Sequence, residues 1–105
     1  MTLRYALLAR RRLAAITDYY VDIDAAAAGL RITSELRARA EGLIAQPGRG
    51  FPDQVLAHRS REYRSLVAKG SPYKIVYVVE GDVVTVVTVF DMRRDPGRLL
   101  EEVPE

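Results

Sequence analysis

Arginine carries most of this chain's capacity for chemistry, and it comes in groups. Arg10 to Arg12 form one run. His58, Arg59, Arg61, Arg64 and Lys69 form a second, and Arg93, Arg94 and Arg98 a third. A guanidinium is a permanent planar cation whose fork of donors fits phosphates and carboxylates. Such clusters can grip a nucleic acid or an acidic protein surface, and their ordinary alternative is a solvated face. The second and third groups flank one predicted sheet, so Arg59, Arg61, Arg64, Lys69, Arg93 and Arg94 are the candidate target-binding residues. Metal-free RNA cleavage would also need a base for the 2′-hydroxyl and an acid for the leaving oxygen. Neither is evident. His58 is the only histidine and falls in a predicted loop, where a solvated role is common. No catalytic residue is assigned, and in the nuclease alternative Arg64 and Arg94 would carry the charge. Nothing resembles a metal site, a phosphate loop or a nucleophile triad, so no cofactor and no metal are expected.

These groups need elements to hold them. The stretch Tyr73 to Pro96, YKIVYVVEGDVVTVVTVFDMRRDP, predicts two strands, Tyr73 to Glu80 and Val83 to Phe90, rich in Val, Ile, Tyr and Thr. Gly81-Asp82 between them is a two-residue Gly-X loop, which predicts a II′ hairpin with Gly81 at positive φ. Tyr73 and Tyr77 share one sheet face and read as core aromatics. Upstream, Leu3 to Leu8 predicts a short first strand. Ala9, Leu13, Ile16, Tyr20 and Ile23 recur at helical spacing. Asp24 is the expected N-cap of a second helix whose buried stripe is Ala28, Ile32, Leu36 and Leu43. Gln46-Pro47-Gly48 ends that helix. A strand between Glu62 and Val67 and a turn at Lys69 to Pro72 lead into the hairpin, and Pro96 to Leu100 predicts a helical turn with Pro96 first. Arg61 and Arg64 are expected to pair with Glu62 or Glu80. Asp91 is expected to orient Arg64 or Arg94, and Asp95 to cap the last turn or pair with Arg93. The order β-α-α-β-β-β predicts an α+β fold, a small antiparallel sheet covered on one face by an αα hairpin.

Length bounds the rest. At 105 residues, with 16 basic and 14 acidic side chains and no cysteine, residues 1–105 read as a single domain without disulfides or thiolate zinc. Acidic residues collect at Asp18, Asp22 and Asp24 and at Glu101, Glu102 and Glu105. No apolar run is long enough to span a bilayer, and the N-terminus has its apolar patch before its basic run, the wrong order for a secretory signal. The expectation is a cytoplasmic protein without membrane contact.

Several segments together resemble the RelE/ParE superfamily of toxins from type II toxin–antitoxin systems. ALLARRRLAAITDYY stands where that family has an alanine-rich segment with an acidic-Leu-x-x-Ile-x-x-Tyr pattern, with Arg12 in the place of the usual acidic residue. QPGRG and REYRS resemble its P-x-x-G-R loop and Arg-rich strand, and YKIVYVVEGDVVTVVTVFDMRRDP its Y-R-I-x-Y strand, turn and Val-Phe-Asp/His-x-R-x-x-P ending. The resemblance covers nearly the whole chain. It implies a toxin neutralised by a cognate antitoxin in a hetero-oligomer, the antitoxin lying over the hairpin and sheet. RelE-like members are ribosome-dependent mRNA endonucleases and ParE-like members inhibit DNA gyrase. RelE-like nucleases commonly carry Tyr or His just after the last strand, whereas here Asp91 stands there and the last tyrosine is Tyr77. That favours the ParE-like branch and a gyrase inhibitor over the ribosome-dependent nuclease, with a non-toxic binding module on the same fold as a third reading.

Overall fold

The computed structural model describes residues 1–103; Glu105, read above with the acidic tail, lies outside them. The elements are β1 (Thr2–Tyr5), α1 (Leu7–Asp22), α2 (Ala26–Gly42), β2 (Phe51–Pro52), β3 (Arg64–Val67), β4 (Tyr73–Glu80), β5 (Val83–Asp91) and α3 (Gly97–Glu102). They form the expected α+β fold, with α1 and α2 as a hairpin on one face of the sheet.

The long hairpin follows from its side chains and its turn. Glu80 faces Val83 across the two-residue loop, and Gly81 has φ of 59°, the left-handed region that a β-branched residue resists. Val76 faces Thr88 but Tyr77 faces Val86, so Val87 is an extra residue on β5, a β-bulge. The bulge restores phase. Val84, Val86 and Val89 all join Tyr73, Ile75 or Tyr77 in the clusters beneath the helices. Phe90, Val76 and Val78 pack on the other face with Leu56, Leu99 and Val103. α1 buries Ala9, Leu13 and Ile16 against the sheet, and α2 contributes Leu36 and Ala40. Each large side chain fully buried in this way contributes about 1.5–3 kcal/mol.

Four expectations need correction. The sheet is mixed: β1 lies parallel to β5, Thr2 opposite Val83 and Tyr5 opposite Val86, and only the order β5-β4-β3-β2 is antiparallel. The first strand stops at Tyr5, not Leu8, because Leu7 and Leu8 already belong to α1. A parallel partner needs a crossover, and the helical hairpin is that crossover. Asp24 does not cap α2. It takes φ of 58°, its N–H donates to the Val21 carbonyl and that of Ala25 to the Tyr20 carbonyl. This is a Schellman C-cap on α1 with Asp24 in the seat glycine usually holds. α2 starts after Ala25 with no side-chain cap. A two-residue strand, β2, also pairs with β3 where only a loop was expected.

No helix among the described residues is long and apolar enough to cross a membrane.

Candidate functional site

Register separates the six candidate residues. Arg61 donates to both Glu80 oxygens, 3.0 and 2.7 Å, beside the hairpin turn. Arg93 and Arg94 follow β5 at the other end of the sheet, where Tyr73 faces Asp91. Seven residue steps along β4, from Tyr73 to Glu80, separate the two ends, on the order of 20 Å. Lys69 sits in the β3–β4 turn and lends only its carbonyl, an acceptor for Arg39 at 3.3 Å. Arg59 donates to the Leu100 carbonyl at 2.8 Å and ties its loop to α3.

Arg64 has an internal task. From mid-sheet its Nη2 donates to the Gly50 carbonyl at 2.6 Å and the Gly48 carbonyl at 3.2 Å, and its Nη1 to Glu62 at 3.3 Å. Tyr77, across the β3–β4 ladder, holds the same loop. Its hydroxyl donates to the Pro47 carbonyl at 2.7 Å and accepts from the Gly50 N–H at 3.0 Å. A Cβ on Gly50 would lie 2.6 Å from the Ser65 carbonyl and 2.7 Å from that hydroxyl, so only glycine lets the loop close on the sheet. Arg64 and Tyr77 together clamp the Pro-Gly loop. Asp91 does not orient Arg64 or Arg94. It takes a bidentate pair from Arg93 at 3.0 and 2.8 Å, and this bond holds the Asp91 carboxyl below its usual range. Asp95 accepts from the Gly97 N–H at 3.0 Å and caps the last turn, as expected.

A buried carboxylate shapes the loop that carries His58, Arg59 and Arg61. Asp53 is fully buried and accepts from Lys74 at 2.8 Å, Ser65 at 2.7 Å, and the N–H groups of Val55 and Leu56 at 2.9 and 3.2 Å. Burial pushes its carboxyl up, but the bonds from Lys74, Ser65 and the backbone outweigh that, and its net shift is downward.

Three clefts of similar size open on the surface of the described residues: Arg59 and Arg61 line one of about 260 Å³, Arg64 one of about 220 Å³, and the third lies at the Arg93 end. This third cleft is a groove of about 240 Å³ between α1 and the end of the sheet. Arg12, Ala15, Ile16 and Tyr19 form its helical wall, and Tyr73, Val89, Asp91, Arg93 and Arg94 its sheet wall. Glu102 closes one rim: the same oxygen pairs with Arg12 and, at 2.9 Å, with Arg94. Since Leu99 and Val103 pack on the opposite face, this carboxylate joins the two layers around the sheet. Arg12 thus has a partner of opposite sign where the family pattern has an acid. Burial, with Tyr20 and Asp91 nearby, pushes the Tyr73 phenol up to about 12. It therefore stays protonated near neutral pH and is a poor base.

Of the six candidates the structure brings only Arg93 and Arg94 to this groove. Sequence reasoning missed Arg12, Ala15, Tyr19 and Tyr73 as its walls. The available signal was the spacing of Arg12, Ala15 and Tyr19, a second helical face beside the core stripe.

Comparison with known proteins agrees with this frame. The profile described as the ParE toxin of type II toxin-antitoxin systems, parDE, matches residues 3–96. The chain belongs to the ParE toxin family. The ParE fold is also seen in a solved structure described as the chromosomal ParDE TA system from P. aeruginosa. It is similar at a TM-score of 0.73 and 22% identity, covering 87% of this chain and 95% of that one. Among curated proteins no sequence matches. ParE membership agrees with the β1-α1-α2 order and the Val-Phe-Asp-x-Arg ending, both inside the matched span.

Proposed function

We propose that this ParE family member acts in the cytoplasm as the toxin of a type II toxin–antitoxin pair, that it inhibits DNA gyrase by binding, and that a cognate antitoxin neutralises it. The observation that carries the gyrase reading is the employment of the groups a nuclease would need. Arg64 is spent on the 48–50 loop, Tyr77 is buried against Pro47 and Gly50, and His58 lies away from the groove, on the loop organised by Asp53. What the groove offers is fixed charge and aromatic surface, suited to contact with a protein. Arg93, 63% exposed at its side chain, and Arg94 are the proposed target contacts.

A ribonuclease reading keeps one supporting observation: Tyr73 shares the groove with Arg93 and Arg94, so a protonated phenol stands near cations. Expression in growing cells separates the two. Under the gyrase reading, growth arrests, plasmids lose negative supercoiling, Tyr73→Phe remains toxic, and co-expression of the adjoining reading frame restores growth. Ribosome-bound transcripts cut in cells with normally supercoiled plasmids, and not cut with Tyr73→Phe, would replace this reading with the nuclease.

A further inference from the structure

The outward face of α1 is complementary to itself. Ala9, Leu13 and Ile16 turn to the core. The opposite stripe runs Leu7, Arg11, Ala14, Asp18 and Val21, at alternating steps of four and three. Leu7 and Val21, at its two ends, are each 54% exposed, and Arg11, Ala14 and Asp18 between them are exposed as well. Exposed Arg10 and Asp22 flank the stripe and extend its charge order, basic at the start of the helix and acidic at its end. Arg12, Ala15, Ile16 and Tyr19, which line the groove at the Arg93 end, are not part of this stripe.

Within one copy the charge order is unfavourable. A helix carries partial positive charge at its N-terminus and partial negative charge at its C-terminus, so Arg10 and Arg11 oppose it at one end and Asp18 and Asp22 at the other. α1 also starts after Ala6 with no side-chain cap and no acidic residue in its first turn. Among the described residues Arg10, Arg11, Asp18 and Asp22 make no ion pair that offsets this.

A second copy laid antiparallel answers each of these features. A two-fold axis through Ala14 sets residues equally far before and after it opposite each other. Leu7 then meets Val21, Arg10 meets Asp18, and Ala14 meets its own counterpart, where two methyl groups let the helices approach closely. Arg11 flanks the same Asp18, and Asp22 comes to the uncapped first turn of the other helix. The net charge of +2 is too small to oppose such pairing. Any other partner would have to carry this charge order in reverse; a second copy carries it already.

We infer that the outward face of α1 joins two copies of this chain in an antiparallel helix–helix dimer. The contact runs along 16 residues of helix, about 24 Å. That is at the small end of protein interfaces, so the dimer is reversible, with a dissociation constant on the order of micromolar. The inference is independent of the gyrase and antitoxin readings.

The test is sedimentation equilibrium of the purified full chain across the micromolar range, beside Asp18→Arg and Arg10→Asp/Arg11→Asp. Each variant repels its own copy at the contact, yet each brings α1 into agreement with its dipole, so the fold is not at risk. The unaltered chain should pass from monomer to dimer, and each variant alone should dimerise about tenfold or more weakly. An equimolar mixture of the two variants should dimerise again, because each supplies the sign the other lacks. Recovery on mixing is a readout that a purely structural role of these charges would not give. An unaltered chain that stays monomeric throughout overturns the inference. So do variants that dimerise as the unaltered chain does, which would place the contact on another face, and so does a mixture that stays monomeric.

Discussion

Replacing Tyr77 by Phe isolates one hydroxyl. The ring is fully buried between Leu43 and Val84, and phenylalanine keeps its packing. What disappears is the oxygen that accepts from the Gly50 N–H at 3.0 Å and donates to the Pro47 carbonyl at 2.7 Å. Gly50 is buried, so its N–H is left without an acceptor, a loss of about 1–3 kcal/mol. Pro47 is half-buried and its carbonyl can regain water, so it adds little. The sum is about 2 kcal/mol, and in a domain of this size each kcal/mol lowers the melting temperature by roughly 4–8 °C. Thermal and urea unfolding by circular dichroism should therefore show a fall on the order of 10 °C with an unchanged urea slope. A loss under about 0.5 kcal/mol would refute the clamp. At a temperature where the variant is fully folded its toxicity should be intact, because the hydroxyl faces the loop and not the groove.

Asp53 predicts an acid-sensitive loop. Its carboxyl is held below the ordinary value of about 3.9, so its contribution is fully present above that pH and is lost as pH falls through the lower, folded value. Asp53→Asn should flatten the stability curve below about pH 4 relative to the parent; curves of the same shape in urea titrations would refute the assignment. Asp24→Gly should stabilise the chain by about 0.5–1 kcal/mol, since glycine takes the left-handed cap without strain. A melting temperature that falls instead would dispute the Schellman geometry. Arg93→Ala should weaken toxicity about tenfold while thermal stability moves by less than about 1 kcal/mol, as expected for an exposed ion pair. Undiminished growth arrest would remove Arg93 from the target surface.

What was legible in the sequence was local. The β4–β5 hairpin could be read from β-branched alternation and from Gly81, because turn chemistry and strand periodicity act over a few residues. The core stripes of α1 and α2 followed for the same reason, except that Ile23, expected on the first, is exposed because α1 ends before it. Asp24 misled because an acidic residue before an alanine run has the composition of an N-cap, while a C-cap is set by φ and by the Val21 and Tyr20 carbonyls. The parallel pairing of β1 with β5 joins residues some eighty positions apart, and no local pattern encodes it. The basic clusters were visible, but their employment was not. Whether Arg64 meets a ligand or the carbonyls of Gly48 and Gly50 depends on where the Pro-Gly loop folds back. The groove was illegible because Arg12 and Tyr73 meet only through tertiary packing.

The central claim is tested most directly with purified protein, relaxed plasmid, DNA gyrase and ATP in one reaction, and translating ribosomes with a defined transcript in another. The account predicts that the chain blocks supercoiling at concentrations that leave the transcript intact, and that the adjoining reading frame's product restores supercoiling when added in equimolar amount. Normal supercoiling together with ribosome-dependent cleavage of the transcript would contradict it.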